Sequence, residues 1–196
     1  MTGNDIVDRA TAAAESNWRR KGFLEKIFTP QERQYILDAV LPDEMVWKLW
    51  SMKESAYKIH ARQYGERSFS PQKINCSIVT GSTGRAGIND IIYYTITTTT
   101  ENYIYSIAGL SEGCNASVIN SCFVLPRIEP VKQQAFIHDK MISQYASACG
   151  IIKKNISVIK DKNGIPSLYC SNDDLRIPVS ITHHGDHAAF TIYQKG

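Results

Sequence analysis

The strongest constraint on the fold is the way helix and strand signals separate into blocks. Residues 8 to 63 read as helical, and residues 69 to 110 read as strands rich in β-branched and aromatic residues. The alternation then returns. A strand, SVINSCFVLPRI, is followed by the helical stretch VKQQAFIHDKMISQYASACG and three strand segments, NISVIKD, PSLYC and PVSITHHGDHAAFTIY. With a first strand at GNDIVD, the order is β-helices-βββ, then β-helix-βββ. That pattern predicts an α+β fold of two related α/β half-units, residues 1–112 and 113–196, joined at SEGCNAS (111–117).

Local signals sharpen this. One helix is expected from Asp8 to Ile27, with Asp8 as an N-cap or first-turn acid. Thr29-Pro30-Gln31-Glu32 is a capping box with proline at the first helical position. Asp43 after Pro42 is expected to cap the next helix and Gly65 to close it; Gly150 is a second C-cap candidate.

Composition sets the outer limits. Hydrophobic residues make up 43% of 196, enough for a core, and no run approaches the ~18 apolar residues of a membrane span. A formal charge of +3 gives no reason to expect a nucleic-acid partner. The N-terminus lacks the basic and apolar regions of a secretory signal, and the five cysteines are widely spaced. Small buried thiols in a reducing cytoplasm are the expectation, so Asn75, Asn115 and Asn155 are not read as glycan sites.

Three segments can carry chemistry. Asp5 sits among apolar neighbours in a short strand, where a carboxylate needs a partner or a metal. Trp50, Glu54 and Lys58 fall at i, i+4 and i+8, one face of a helix. Glu54–Lys58 reads either as a surface pair or as an acid and a base at the edge of the core; with Asp5, Glu54 could serve a hard cation such as magnesium. Thr182-His183-His184-Gly185-Asp186-His187 holds three of five histidines. On one strand His183 and His187 would share a side. Zinc, a phosphate-contacting His183 beside the Thr182 hydroxyl, and turn or cap histidines all remain open readings.

In this order, GNDIVD, FTPQE, W-S-M-K-E-S-A-Y-K and S-I-T-H resemble the 4'-phosphopantetheinyl transferases over residues 3 to 190, and Gly164-Ile165-Pro166 looks like the family's Gly-Lys-Pro. The resemblance implies transfer of 4'-phosphopantetheine from coenzyme A to a serine of an apo acyl or peptidyl carrier protein, releasing adenosine 3',5'-bisphosphate. It implies Mg2+ held by Asp5 and Glu54, proton removal by Glu54 or by a metal-bound water that it orients, and phosphate contacts from Lys58, His183, Thr182, Lys53 and Lys162. Asp8, three residues after Asp5, resembles the holo-acyl-carrier-protein synthase type. Ile165 stands where the family has lysine, so that contact is either lost or supplied elsewhere, by Lys160 or Lys162. The acid-bearing half leads here, whereas it follows in the large monomeric branch; two fused copies, each keeping part of one site and acting as a monomer, account for that order. The basic segment Trp18-Arg19-Arg20-Lys21, with Arg9, is the expected carrier surface. A non-catalytic coenzyme A or carrier-binding module and a metal-dependent hydrolase are the rival readings.

Overall fold

A computed structural model describes residues 1–66, 68–113, 118–171 and 175–193. Cys114, Asn115 and most of the expected joint lie outside the described residues. The first half-unit contains β1 (Thr2–Asp8), α1 (Arg9–Glu15), α2 (Phe23–Ile27), α3 (Pro30–Asp38) and α4 (Pro42–Tyr64). Then come β2 (Ile74–Ile78), β3 (Thr83–Ile88), β4 (Ile91–Thr99) and β5 (Tyr103–Gly109). The second contains β6 (Val118–Val124), α5 (Pro130–Cys149), β7 (Ile156–Lys160), β8 (Pro166–Cys170), β9 (Leu175–His184) and β10 (His187–Tyr193).

Each half forms a five-stranded antiparallel sheet. Their orders, β1-β5-β4-β3-β2 and β6-β10-β9-β8-β7, match strand for strand. The long helix of each half covers one face. Ile36, Leu49, Met52, Ala56, Ile59 and Tyr93 form the first core, and Met141, Leu168, Val179, Phe190 and Ile192 the second. A smaller cluster of Ile6, Tyr105, Ile107 and Ala189 lies on the seam between the sheets.

β1 is buried along its whole length, so it shows no polar–apolar alternation. Its position explains that. On one side it crosses α4 so closely that a Cβ on Gly3 would lie 2.1 Å from Ser55 O. On the other it meets β9. There the N–H groups of Asn4, Ile6 and Asp8 donate to Ser180 Oγ (3.2 Å), Thr182 Oγ1 (3.4 Å) and His184 Nδ1 (2.9 Å). An edge strand would otherwise expose these donors. Here alternate side chains of β9 satisfy them and fasten the halves together.

Several expectations need correction. The helix expected from Asp8 to Ile27 is two helices: Ser16 is extended and the Asn17 side chain accepts the Arg19 N–H, turning the chain. Helix α4 starts at Pro42, so Asp43 is not its cap. The Asp43 carboxylate instead takes the Trp18 indole at 2.7 Å and two N–H groups of Arg19 at 2.7 and 2.9 Å, which hold its pKa down to about 2. PVSITHHGDHAAFTIY is two strands, because Gly185-Asp186 makes a hairpin turn with Gly185 at φ 54. Each half therefore has one strand more than the sequence pattern gave. Of the cysteines, Cys76 and Cys170 are buried, but Cys122 is half-buried and Cys149 exposed. The capping box at Thr29–Glu32 and the glycine caps at Gly65 and Gly150 form as expected. No helix of the described residues is long and apolar enough to cross a membrane.

Candidate active site

The seam between β1, α4 and β9 opens into a cleft of about 360 Å³ lined by Asp5, Trp47, Trp50, Glu54, Lys58, Thr182 and His183. Helical periodicity brings Trp50, Glu54 and Lys58 down one face of α4 onto β1, as their spacing predicts. The cleft thus joins the acids of the first half-unit to the Thr-His strand of the second.

Asp5 is its electrostatic centre. Thr182 Oγ1 donates to Asp5 Oδ1 at 3.2 Å, and Lys58 Nζ lies 3.5 Å from the same oxygen while donating to Asn4 O at 2.8 Å. Ser51 Oγ donates to Asp5 O. Burial raises the Asp5 pKa, with Lys58, Thr182 and Ser51 opposing. Burial also raises Glu54 to about 7, helped by the charge of Asp5 and opposed by Lys58. Burial outweighs the one ammonium that the two carboxylates share, so both sit above their ordinary values.

Asp5 Oδ2 is buried and has no hydrogen-bond partner among the described residues. An orphaned carboxylate oxygen beside a second strained carboxylate fits a hard divalent cation. The set is all oxygen and offers two carboxylates, the number magnesium takes when substrate phosphates fill other positions. Glu54 and Asp5 are thus able to hold it.

Other expected residues go elsewhere. Lys53 is fully buried on the core-facing side of α4, 2.7 Å from Glu32, and donates to Pro71 O and Ile74 O. It does not reach the cleft, so a ligand-binding role for it is withdrawn; the roughly 100° step from Glu54 turns it into the core. Asp8 is also committed. Its Oδ1 accepts the Thr11 N–H, and its Oδ2 accepts the Asp186 N–H and faces His187 Nδ1 at 2.6 Å. These bonds hold its pKa down to about 2 against the opposing effect of burial. The turn packs so tightly there that a Cβ on Gly185 would lie 2.1 Å from Thr11 Oγ1. Asp8 is therefore an N-cap that latches the β9–β10 turn.

The histidines divide accordingly. Across the hairpin His184 pairs with His187, and both meet Asp8; His183 pairs with Ala188 and is exposed. His183 and His187 therefore do not share a side, as a continuous strand would require. Among the described residues no three His, Cys, Asp or Glu side chains gather to hold a metal.

A second cavity of about 480 Å³ adjoins the cleft through Ile181 and His183. His138, Lys160, Gly164 and Pro166 line it, with apolar walls from Leu125 and Ile137. Of the two lysines weighed against Ile165, Lys160 lines this cavity; Lys162 is exposed in the following turn and lines neither space. A third groove, about 370 Å³, runs between α1 and α4 and shares Ala12, Ser16 and Trp47 with the cleft. Its charges are largely internal: Arg19 pairs with Asp43, and Arg9 lies 3.6 Å from Glu44. Arg20 and Lys21 stay exposed.

Sequence reasoning missed Ser51, Ser180 and His184. Ser180 and His184 could have been found, since they alternate with Thr182 on one face of a strand. A family model described as the 4'-phosphopantetheinyl transferase superfamily matches residues 1–108, the stretch that holds Asp5, Glu54 and Lys58. No curated protein matches the chain.

Proposed function

The chain belongs to the 4'-phosphopantetheinyl transferase superfamily, and from that premise we propose that it moves 4'-phosphopantetheine from coenzyme A to a serine of an apo acyl or peptidyl carrier protein. The observation that carries this reading is the pairing of buried, part-orphaned Asp5 with raised Glu54 against Lys58, in a cleft that runs into a second cavity. Coenzyme A is long enough to need both spaces.

In this reading Asp5 and Glu54 hold Mg2+, which when bound neutralises diphosphate charge. Lys58 and His183 face the phosphates and stabilise the charge that develops on them. The carrier serine Oγ forms a bond to the phosphorus that carries the pantetheine arm. The bond from that phosphorus to the bridging oxygen breaks, and adenosine 3',5'-bisphosphate leaves with the electron pair. The serine proton passes to Glu54. Lys160 takes the phosphate contact that Ile165 cannot make. The carrier approaches along the α1–α4 groove, past exposed Arg20 and Lys21.

The test is mass spectrometry of an apo carrier protein incubated with the chain, coenzyme A and magnesium. Addition of a phosphopantetheine mass is the expected result. Asp5→Asn and Glu54→Gln should each lower the rate by at least about 10²-fold while leaving the far-ultraviolet circular dichroism unchanged. Substantial turnover by either variant would remove the assignment.

A further inference from the structure

Below Lys58 the cleft-facing stripe of α4 continues to Arg62, one turn on. Its guanidinium leaves the first half-unit. Nη2 donates to Val179 O at 2.5 Å and lies 3.4 Å from Pro166 O. Both carbonyls belong to the mouth of the β8–β9 ladder, beside the last paired residues, Ser167 and Pro178. Pro166 opens β8 and has no N–H, so the ladder lacks a donor there, and Arg62 brings one from outside.

The turn that leads into β8 is built to be gripped. Asp161 Oδ1 accepts the N–H groups of Asn163 (2.8 Å) and Ile165 (2.9 Å), which folds residues 161–165 back on themselves. The Asp161 charge also attracts Arg62. The same stretch supplies Lys160, Gly164 and Pro166 to the wall of the second cavity. One arginine therefore ties the helix that bears Glu54 and Lys58 to the turn that walls the adjoining space. It does so at a cost: Nε and Nη1 are buried with no hydrogen-bond partner among the described residues. For stability alone, an apolar side chain would serve this seam as well.

We propose that Arg62 is a positioning residue that sets the register of the β7–β8 turn against α4, and so fixes the distance between the cleft and the second cavity for a ligand that spans both. The spanning ligand is coenzyme A, which rests on the function proposed above. A ligand confined to one cavity does not sense that distance, whereas a spanning one is misplaced at its reacting phosphorus when the distance changes.

The test compares Arg62→Met and Arg62→Lys with the wild-type chain. For Arg62→Met, kcat/KM for coenzyme A should fall about a hundredfold, the size of effect a misplacement near 1 Å produces. The dissociation constant for adenosine 3',5'-bisphosphate, which fills the nucleotide end alone, should stay within about twofold, less than the tenfold that 1.4 kcal/mol represents. Arg62→Lys keeps one donor and should recover part of the loss. It carries the same comparison if Arg62→Met does not fold. In the ligand-free protein, amide exchange should quicken across 167–170 and 177–181. Unchanged coenzyme A kinetics, equal weakening of both ligands, or unchanged exchange would each overturn the proposal. If the wild-type chain neither binds nor turns over coenzyme A, the proposed function has failed, and exchange alone then decides whether Arg62 sets the register.

Discussion

Replacing Lys53 by methionine separates a residue that builds the fold from one that binds a ligand. Lys53 and Glu32 are both fully buried and 2.7 Å apart. Glu32 is held further by the N–H groups of Thr29 (2.8 Å) and Cys76 (2.6 Å), and Lys53 by Pro71 O and Ile74 O. The pair thereby joins the start of α3, the middle of α4 and the start of β2. Methionine fills similar volume but leaves the Glu32 charge in the core with two backbone donors and no cation, and takes the Lys53 donor from Pro71 O and Ile74 O. Removing one partner of a buried pair costs about 3–5 kcal/mol. Against a total of about 5–15 kcal/mol, that is a large fraction of the stability. With a urea slope of about 2 kcal/mol/M, the unfolding midpoint should drop by roughly 2 M. Adding Glu32→Gln removes the stranded charge while keeping a side chain able to close the capping box, so the double variant should regain part of the loss. Below its unfolding midpoint, Lys53→Met should keep the wild-type KM for coenzyme A. An unchanged midpoint with a raised KM would refute the argument and return Lys53 to the ligand.

Glu54 makes stability depend on pH in a defined direction. Its folded pKa is raised from 4.5 to about 7, so its proton favours the fold fully below 4.5, and that contribution is lost as pH rises to about 7. The metal-free urea midpoint should fall across this window and lose that slope in Glu54→Gln; an unchanged slope would refute the shift. Asp8 has the opposite sign: depressed from 3.8 to about 2, it contributes about 2 kcal/mol above pH 3.8 that is lost as pH falls through 2. Asp8→Ala should lower stability at pH 7 by at least that amount without changing magnesium affinity, read by denaturation and by calorimetric titration. For carrier docking, reversing Arg20 and Lys21 should raise KM for the carrier and weaken its salt dependence. Arg19→Glu should chiefly break the Asp43 pair and lower the unfolding midpoint.

The blocks of helix and strand, the capping box and the single cleft-facing stripe of α4 were legible because each rests on local chemistry. Periodicity also decided the direction of Glu54 and Lys58. What it could not decide was what lay opposite. Lys53 looked like a ligand residue because nothing local reveals Glu32, 21 positions earlier, as its buried partner. β3 escaped because TGRAGI carries two glycines and an alanine, weak strand formers whose place comes from pairing with β2 and β4. The β9–β10 turn was hidden inside a run of strand-forming residues, and its two-residue Gly-Asp signal was taken for part of a histidine cluster. Asp8 had its cap role read correctly, but its contacts with His184 and His187 are long-range.

The matched sheet orders let each chemical residue be compared with its counterpart in the other half, and the comparison argues for one active site per chain. Across sheet one, Asp5, Ser106 and Thr97 form a row three residues in from the β4–β5 turn; across sheet two, Ser121, Phe190 and Ile181 form the same row, three residues in from the β9–β10 turn. The place of Asp5 is thus taken by the neutral hydroxyl of Ser121. Counting back from the glycine caps Gly65 and Gly150, Asp139 takes the place of Glu54 and Ser143 that of Lys58. Asp139 is exposed and pairs with Lys153 at 2.5 Å, so it does not face the seam as Glu54 does. The second half contributes Thr182 instead, from the seam face of its sheet, and its hydroxyl donates to the first half's Asp5. One set of groups is therefore drawn from both halves. Calorimetric titration with coenzyme A and magnesium should therefore give about one site per chain, following the binding law for a single site. Two equivalent sites would mean that the row of Ser121 binds despite having no carboxylate, and the argument from matched rows would fall.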